Sequence, residues 1–462
     1  MKRISIIVIA VLLFAVATAH GASGEVSATA APGLIGYEKR PVLPPIQPGS
    51  LKLTPGEIDA LVLPRRRAVL NFPSIDRFIG NEGAPLQFRS ISLFAEGMRI
   101  RVLANGSESG QKPARRQYYL ASNTTTSIGL AVDAEFGEVT GFALRGASRM
   151  QLDGNLLSSL EFSPVQDLPE GVNSCGTDGF DLSVGTPSMP SGVSALSMSA
   201  ALAGEAISYQ AVVAVDTDSE WLAGFGDDTF AAMDWITDLF LAMNVFYERD
   251  VETHLLIGDV ILRSGSDPYS VPSDRFGQLN EFGEYWKDNM GHVERQFAAM
   301  LSGRNISAYS FSGIAWLDQY CAYGRTSGSS TYGSFSFNAI GRSRSPGNTA
   351  LYVGHEIGHN MGSPHTHCYD PPVDSCYNGD AGSGCFSGPP MCPIGGNRRG
   401  TIMSYCHMGG PSGAGCGTSN SEFHPIVQAL LEDRLASEAA RGCISPYSEP
   451  PVDNVIFSNT FE

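Results

Sequence analysis

Four histidines and one glutamate lie within thirteen residues of the segment HEIGHNMGSPHTH, which begins at His355. His355 and His359 are four residues apart, so on a helix their imidazoles lie on one face, one turn apart. Two imidazoles in this arrangement can bind one zinc ion at about 2.0–2.1 Å. Glu356 lies to one side of the two imidazoles on the helix surface. There it can act as general base on a zinc-activated water without binding the metal. The pattern therefore indicates a catalytic zinc site.

The segment GNTALYVGHEIGHNMG fits the helix that such a site requires. Asn348 or Thr349 can cap its start. Apolar residues follow at steps of three and four and form one stripe for the core: Ala350, Val353, Ile357 and Met361. Gly362 can adopt the left-handed conformation that ends a helix, and Pro364 cannot continue one. We therefore expect the chain to double back and present His365 as a third ligand, with the fourth position open as in catalytic zinc sites.

The fourth histidine of the segment, His367, lies two residues beyond the third candidate ligand. We interpret it as a residue beside the site or on the surface and not as a ligand. The alternative for the whole cluster is a set of histidines packed in a helical core without a metal. His407 and His424 fit ordinary hydrogen-bonded or exposed positions, and His254 and His292 belong to no recognisable motif.

Length and composition describe a globular protein of more than one unit. The chain has 462 residues, of which 42% are apolar and 17% are charged, enough to bury two or more cores. A formal net charge of −17 argues against nucleic acid and anionic membranes as partners. Ordinary solubility is the simplest explanation of this acidity.

The first residues have the three parts of a secretory signal peptide. Lys2 and Arg3 precede an apolar run from residue 4 to residue 17, and Ala17-Thr18-Ala19 forms a small-x-small cleavage site. No later apolar run reaches the roughly 18 residues that a membrane span needs. We therefore predict a signal peptide over residues 1–19 and a secreted mature protein, extracellular or periplasmic in transit, with no membrane partner.

Residues 20–200 contain short β-prone runs separated by Gly, Pro and Asn, as in SIGLAVDAEFGEVTGFALRG. This pattern predicts a β-rich unit. The unit ends in a stretch of small residues, TPSMPSGVSALSMSAALAGEA, which reads as a linker.

Beyond the linker, strand-like and helix-like segments alternate. We predict strands for two segments, YQAVVAVDTD and THLLIGDVIL. We also predict a long amphipathic helix from Phe230 to Phe246. We predict helices for LNEFGEYWKDNM and HVERQFAAMLSG. The alternation predicts an α/β architecture around a mixed sheet. The Pro-rich tail over residues 446–462 is expected to be an extended appendage.

The cysteines are distributed unevenly along the chain. Eight of the nine lie between Cys321 and Cys443, whereas Cys175 stands alone in the first half. Export permits disulfides, and an odd number leaves one thiol without an internal partner. Cys175 is therefore the cysteine that we expect to be left without a disulfide partner.

HEIGHNMGSPH, followed by Met403 in GTIMSYCH, resembles the zinc signature and Met-turn of the metzincin metallopeptidases. From residue 209 to residue 443 the chain is most similar to the adamalysin (reprolysin) group, in particular to the bacterial reprolysin-like secreted proteases. The resemblance implies a zinc metalloendopeptidase with one catalytic Zn²⁺ ion. It also implies a metzincin-type catalytic domain over residues 205–445, with a mixed twisted sheet and a long active-site helix.

The resemblance also assigns roles to residues outside the zinc signature. Met403 would lie beneath the zinc ligands without binding the metal. Tyr405 stands where serralysins and astacins have a tyrosine that can approach zinc and stabilise the transition state, although a place in the pocket wall is equally natural. GIAWLDQYC is similar to the edge strand along which a peptide substrate lies. Thr366 departs from the family, which often has Asp at this position.

Disulfide and calcium assignments follow from the same resemblance. It implies a bond between Cys321 and Cys443. The six remaining cysteines of the domain allow 15 pairings, and the residues do not choose among them. Calcium binding is allowed by the resemblance, but no ligands can be assigned.

Cys175 lies in NSCGTDG, which resembles the cysteine-switch segment of reprolysin propeptides. A thiolate is a strong zinc ligand, and in the open fourth position it would keep the enzyme inactive. Residues 20–200 would then form a β-rich propeptide that acts as an intramolecular inhibitor. A buried or stray thiol is the alternative.

These features together predict a secreted enzyme that hydrolyses peptide bonds in proteins or peptides and is made as a latent zymogen. One rival is a secreted binding or adhesion protein that keeps a protease fold without turnover, and the intact Glu356 counts against it. A second rival is a purely structural zinc. It is disfavoured because no fourth ligand follows at a suitable spacing.

Overall fold

The computed structural model describes residues 44–62, 69–81, 84–123, 125–146, 148–165, 173–175, 207–272, 274–304, 311–340, 345–380, 384–393, 400–407, 416 and 421–448. The predicted signal peptide, the linker and residues 449–462 of the predicted tail lie outside these ranges.

The described helices all begin and end within these ranges. They are α1 (Pro55–Val62), α2 (Pro73–Phe78), α3 (Ser219–Ala223), α4 (Thr229–Val251), α5 (Arg275–Asn289), α6 (Pro346–Asn360) and α7 (Pro425–Ala440).

The strands of the N-terminal part are β1 (Gly49–Leu51), β2 (Leu70–Asn71), β3 (Gln87–Ile91), β4 (Ile100–Ala104), β5 (Ser107–Gln111), β6 (Arg116–Ser122), β7 (Thr126–Asp133), β8 (Glu138–Arg145), β9 (Ser148–Asn155), β10 (Leu160–Pro164) and β11 (Asn173–Cys175). Those that follow are β12 (Tyr209–Thr217), β13 (Thr253–Ser264), β14 (Phe297–Ser302), β15 (Phe311–Ala315), β16 (Arg325–Ser327), β17 (Ser330–Tyr332), β18 (Phe335–Ala339) and β19 (Ser445–Pro446).

The first sheet is antiparallel and has the strand order β1-β10-β9-β8-β7-β6-β3-β2. Alternate residues of β7 are buried on opposite faces, as the two-residue period of a strand requires. Ile128 and Leu130 pack in the core beneath α1 and α2. Ala131 belongs to the other large core, and Gly129 lies against the side chain of Leu241 on α4. This sheet is therefore covered on both faces.

The second sheet has the order β11-β15-β18-β14-β12-β13-β4-β5. Its central pairs are parallel, whereas β15 with β18 and β4 with β5 are antiparallel. Along β12, Val213 and Val215 face the core of α4 and α6, and Ala214 faces the core of α5. The predicted mixed α/β class is confirmed.

The helix predicted for HVERQFAAMLSG is wrong, because Phe297–Ser302 form β14 in the middle of the second sheet. All six residues of β14 are buried. Phe297 belongs to one core and Ala298 to the other. A short, continuously apolar run is equally typical of a buried strand and a buried helix, so periodicity alone could not separate them.

The hairpin of β4 and β5 belongs to the N-terminal part of the chain but joins the second sheet. Ile100–Ala104 pair in parallel with residues 260–264 of β13. No sequence feature indicated that the predicted β-rich unit would extend the sheet of the following one.

Four disulfides cross-link the C-terminal half. They are Cys321–Cys443, Cys368–Cys385, Cys376–Cys406 and Cys392–Cys416. Cys175 retains its thiol and is buried. None of the described helices is both long and apolar enough to cross a membrane.

A buried carboxylate joins β12, β13 and α5. Asp216 is 0% exposed. Its oxygens accept two bonds from the Arg263 guanidinium, both at 2.8 Å, and one bond each from Tyr269 Oη at 2.7 Å and Trp286 Nε1 at 2.9 Å. Such an ion pair stabilises a core only while both charges remain matched.

Asp216→Ala is expected to lower the free energy of unfolding by about 3–5 kcal/mol, because the Arg263 charge would stay buried without its partner. The midpoint of guanidinium-induced unfolding, followed by circular dichroism, measures this effect. Asp288→Ala is the matched control, since Asp288 forms an exposed pair with Lys287, and its midpoint should stay near that of the wild type. Equal midpoints for the two variants would contradict the assignment.

Candidate metal centre

Helix α6 carries the first two histidines of the zinc signature. It begins at Pro346, and the hydroxyl oxygen of Ser345 accepts the Asn348 N–H at 3.2 Å. The predicted cap at Asn348 or Thr349 is therefore wrong, and both residues lie inside the helix. Serine followed by proline at the first helical position is a favoured helix start, because proline lacks the N–H that would remain unbonded there.

Helix α6 packs closely against α4. A Cβ at Gly354 would lie 2.8 Å from the Phe246 ring, and Tyr247 Oη donates to the Gly354 carbonyl at 2.7 Å. The predicted apolar stripe faces the same core, with Val353 and Ile357 buried in it. The other face of the helix is thereby left to the histidines.

Three imidazole nitrogens converge at one point. His359 Nε2 lies 3.0 Å from His355 Nε2 and 3.2 Å from His365 Nε2, and His355 Nε2 lies 3.1 Å from His365 Nε2. Their lone pairs point at one another, an arrangement that a cation stabilises. The triangle is small enough for every nitrogen to lie about 2.0–2.1 Å from a single zinc ion.

Hydrogen bonds at the opposite ring atoms set the tautomers. His355 Nδ1 lies 2.6 Å from the Ile402 carbonyl oxygen, and His359 Nδ1 lies 2.7 Å from the Ser363 carbonyl oxygen. A carbonyl only accepts, so both Nδ1 atoms carry the proton and both Nε2 atoms present a lone pair that can bind a metal. Burial, reinforced by the neighbouring imidazoles, lowers the pKa of His359 and of His365 well below the usual value. Neutral rings suit metal binding.

The turn after α6 brings in His365. Gly362 has φ +109°, in the range that favours glycine, and the Ser363 N–H donates to the Gly358 carbonyl at 3.0 Å. The Thr366 N–H donates to the Met403 carbonyl at 3.0 Å, and the Thr366 hydroxyl donates to Asp374. The chain thus reverses as predicted and is tied down directly after the third histidine.

Glu356 lies beside the three histidines and is 2% exposed. A Cβ at Gly313 on β15 would lie 2.1 Å from Glu356 Oε1. Only glycine lets the carboxylate approach the strand so closely. Gly313 carried no signal of this role in the sequence, although it begins the segment GIAWLDQYC, which is similar to the edge strand of the family.

Cys175 enters the same site from the N-terminal part of the chain. Its Sγ belongs with the three histidines to a group whose ligand atoms all lie within 4.8 Å of one another. Cys175 Sγ also lies 3.3 Å from Glu356 Oε2. Strand β11 pairs in parallel with β15, with Cys175 opposite Gly313. Together these residues form a set of three nitrogens and one sulfur, which suits zinc.

Met403 and Tyr405 flank the histidines. Met403 is fully buried, and its Sδ lies 2.7 Å from where a Cβ of Gly358 would be. The Tyr405 ring lies 4.1 Å from the His365 ring, centroid to centroid, and its hydroxyl donates to the Cys175 carbonyl at 2.7 Å. Met403 therefore packs beneath α6, and Tyr405 lines the site while holding β11.

His367 is fully buried next to the site. Its Nε2 lies 2.7 Å from Asp380 Oδ2, and its ring is parallel to that of His365 with centroids 5.5 Å apart. His367 therefore packs against His365, the third candidate ligand. It lies beside the site and not on the surface. Asp374 and Asp380, which contact Thr366 and His367, carried no recognisable signal in the sequence.

The fold and the site describe a metallopeptidase domain. The family model described as metallo-peptidase family M12 (Reprolysin_5) matches residues 208–420. This match confirms the resemblance of these residues to the reprolysin-like metallopeptidases, and peptidases of family M12 use zinc.

The solved structures that resemble this chain share little sequence with it. Metalloproteinase-II from Bacteroides fragilis has 8% sequence identity and a TM-score of 0.35, over 77% of this chain and 89% of that chain. A structure of a chaperone–substrate complex has 10% identity and a TM-score of 0.28, over 64% of this chain and 38% of that chain. No curated protein matches the sequence. The family assignment rests on the sequence match.

Zinc titration tests the ligand set. The chain is expected to bind one zinc ion, and His365→Ala should weaken binding at least about 100-fold, since loss of a residue that only hydrogen-bonds to a metal ligand already costs about 10–100-fold. Competition with a chromogenic chelator measures the affinity. His292→Ala, which alters an exposed histidine, should bind zinc like the wild type. Unchanged affinity in His365→Ala would contradict the proposed ligand set.

Proposed function

We propose that this chain is a secreted zinc metalloendopeptidase, made as a latent zymogen, that hydrolyses peptide bonds in proteins. The observation that carries the proposal is the convergence of three imidazole nitrogens beside a buried carboxylate. His355, His359 and His365 would hold the ion. Zinc, when bound, supplies a Lewis acid that polarises a carbonyl and acidifies a water molecule.

Glu356 is the general base of this proposal. Its carboxylate takes the proton of the attacking water and passes it to the leaving amine. Its low exposure and its contact with Gly313 hold the carboxylate in one place, which such proton transfer requires. Tyr405 would turn its hydroxyl to the oxyanion of the substrate once β11 has left.

The substrate would lie along β15. In the zymogen, β11 already occupies the outer edge of β15 as an added strand. An extended peptide can use the same backbone groups. A metallopeptidase acts on proteins or peptides, and an edge strand beside the candidate catalytic residues favours an endopeptidase that binds the substrate on both sides of the cleaved bond.

Cys175 provides the latency. Its thiol lies among the three histidines, and its carbonyl accepts the Tyr405 hydroxyl. The thiolate would take the fourth position of the metal and exclude water from it. In this proposal residues 20–200 form the propeptide, and removal of β11 from the cleft activates the enzyme.

Secretion agrees with the cysteine chemistry. All eight cysteines from residue 321 onward are in disulfides, and disulfides persist mainly in oxidising compartments. The signal-peptide pattern over residues 1–19 supports the same route.

Glu356→Gln is expected to keep zinc and to lower peptide cleavage by about 10²–10⁴-fold, because the amide cannot accept a proton. The activated protein is mixed with a proteome-derived peptide library, and new termini are read by mass spectrometry. Glu284→Gln, which alters an exposed glutamate on α5, should cleave like the wild type. If the activated wild type cleaves nothing, a binding protein on a protease fold replaces the enzyme.

Cys175→Ser is expected to cleave peptides as the intact chain, whereas the intact wild type should be silent. A hydroxyl is a far weaker zinc ligand than a thiolate, so β11 loses its anchor at the fourth position and can leave the cleft of the intact chain. An organomercurial that caps the thiol should activate the wild type and leave the variant unchanged. An intact variant as silent as the wild type would show that strand pairing, and not the thiol, blocks the site.

A further inference from the structure

We infer that residues 44–165, the N-terminal unit, are a permanent subunit of the mature enzyme and remain bound to the metallopeptidase domain after the chain is cut. This inference rests on the proposed function, in which β11 must leave the cleft. It follows from how the unit is built into the sheet, the core and the charges of the domain.

The first support is the shared sheet. Strand β4 hydrogen-bonds in parallel to β13 along residues 260–264, and β5 covers the outer edge of β4. Eleven of the twelve residues of β13 are buried. Departure of the N-terminal unit would expose the backbone edge of a long apolar strand, which is prone to aggregate. The hairpin therefore completes the domain.

The second support is the surface of α4 that faces the N-terminal unit. Seventeen of its 23 residues are buried, so the helix is covered nearly all round. Its residues that contact the first sheet recur at helical steps: Asp234, Asp238, Leu241, Val245 and Glu248. The opposite face of α4 packs against α6 and the rest of the metallopeptidase domain. Without the N-terminal unit it would be an exposed apolar strip with acidic ends.

The third support is charge complementarity across this contact. The Arg116 guanidinium is largely buried and lies 2.8 Å from Asp238 and 3.6 Å from Asp234. Burial, opposed by Arg116, raises the pKa of Asp238 to about 6. Loss of the arginine would leave these carboxylates facing a contact without their counter-charge.

A second arginine closes the other end of the stripe. Arg89 pairs with Glu248, which also contacts His254 Nδ1. His254 Nε2 lies 2.7 Å from the Ser92 carbonyl, and Arg89 donates to Tyr447 Oη at 3.0 Å. The network links the N-terminal unit to α4, to β13 and to the segment after α7. Matched charges at both ends fix the register of the contact.

The unit also touches the active-site helix. A Cβ at Gly347, in the first turn of α6, would lie 2.6 Å from the Phe142 ring of β8. Phe142 and Leu144 belong to the same core cluster as Ile357 and Met403. The N-terminal unit therefore supports the helix that carries the candidate metal ligands.

Inhibition and support lie at opposite edges of the second sheet. The inhibitory strand β11 pairs with β15 at one edge, and β4 and β5 form the other edge. Release of β11 therefore does not require release of the hairpin. A cut chain can open its cleft while the N-terminal unit stays in place.

The test uses the full chain with Glu356→Gln, with Cys175→Ser so that the thiol cannot hold the pieces together, and with a recognition sequence for a site-specific endoprotease inserted within residues 186–206. After the cut, the pieces are separated by gel filtration under native conditions and identified by mass. We expect both pieces to elute together in a 1:1 ratio. Elution of the C-terminal piece apart from the N-terminal one, whether folded or aggregated, would overturn the inference.

Two matched arginine variants sharpen the test. Arg116→Ala should weaken the association of the cut pieces by roughly 30-fold or more, since one partner of a buried charge pair is removed. Arg77→Ala, an exposed arginine on α2, should leave it unchanged. Circular dichroism of each uncut variant confirms its folding. Equal affinity in the two variants would contradict the contact assigned to Arg116.

The cut chain with Glu356 intact and Cys175→Ser, which lacks the thiol proposed to silence the site, separates this inference from the proposed function. Peptidase activity should elute with both pieces together. Co-elution without any activity would leave the association standing and refute the enzyme. Activity in a C-terminal piece that elutes alone would support the enzyme and refute the permanent subunit.

Discussion

Three imidazole nitrogens that lie within 3.2 Å of one another impose the strictest condition on this molecule. Neutral rings are needed at all three positions, and two of them are oriented by backbone carbonyls from separate loops. Small movements of α6 would separate the nitrogens, since the site tolerates errors of only about 0.5 Å. The packing around α6 holds this helix in the position that the three nitrogens require.

That helix is held from several directions by residues far apart in the chain. Tyr247 bonds its backbone at Gly354, Met403 packs against Gly358, and Phe142 touches Gly347. Glycine at these three helix positions lets bulky neighbours approach the backbone closely. The first sheet contributes Phe142, so the N-terminal part of the chain takes part in placing the candidate ligands.

Much of the candidate site could be predicted because its parts are close in sequence. The spacing of His355 and His359, and the glycine turn before His365, are local features with a direct geometric meaning. Apart from the Cys321–Cys443 bond and the place of Cys175, which only the family resemblance implied, contacts between distant parts of the chain were not predicted. Gly313 approaches Glu356 from another strand, and Arg89 meets Glu248 across 159 residues, so no local pattern marks either contact.

The sequence by itself predicted a metal site, and it determined the mixed α/β class and the likeness to the family, since residue type and short spacing carry these properties. Tertiary structure decided that Phe297–Ser302 are a strand and that Ser345 caps α6. It also decided that β4 and β5 complete the second sheet. Sheet pairing and the burial of both faces of a segment are settled by partners distant in the chain. A short apolar run satisfies a strand and a helix equally well until those partners are in place.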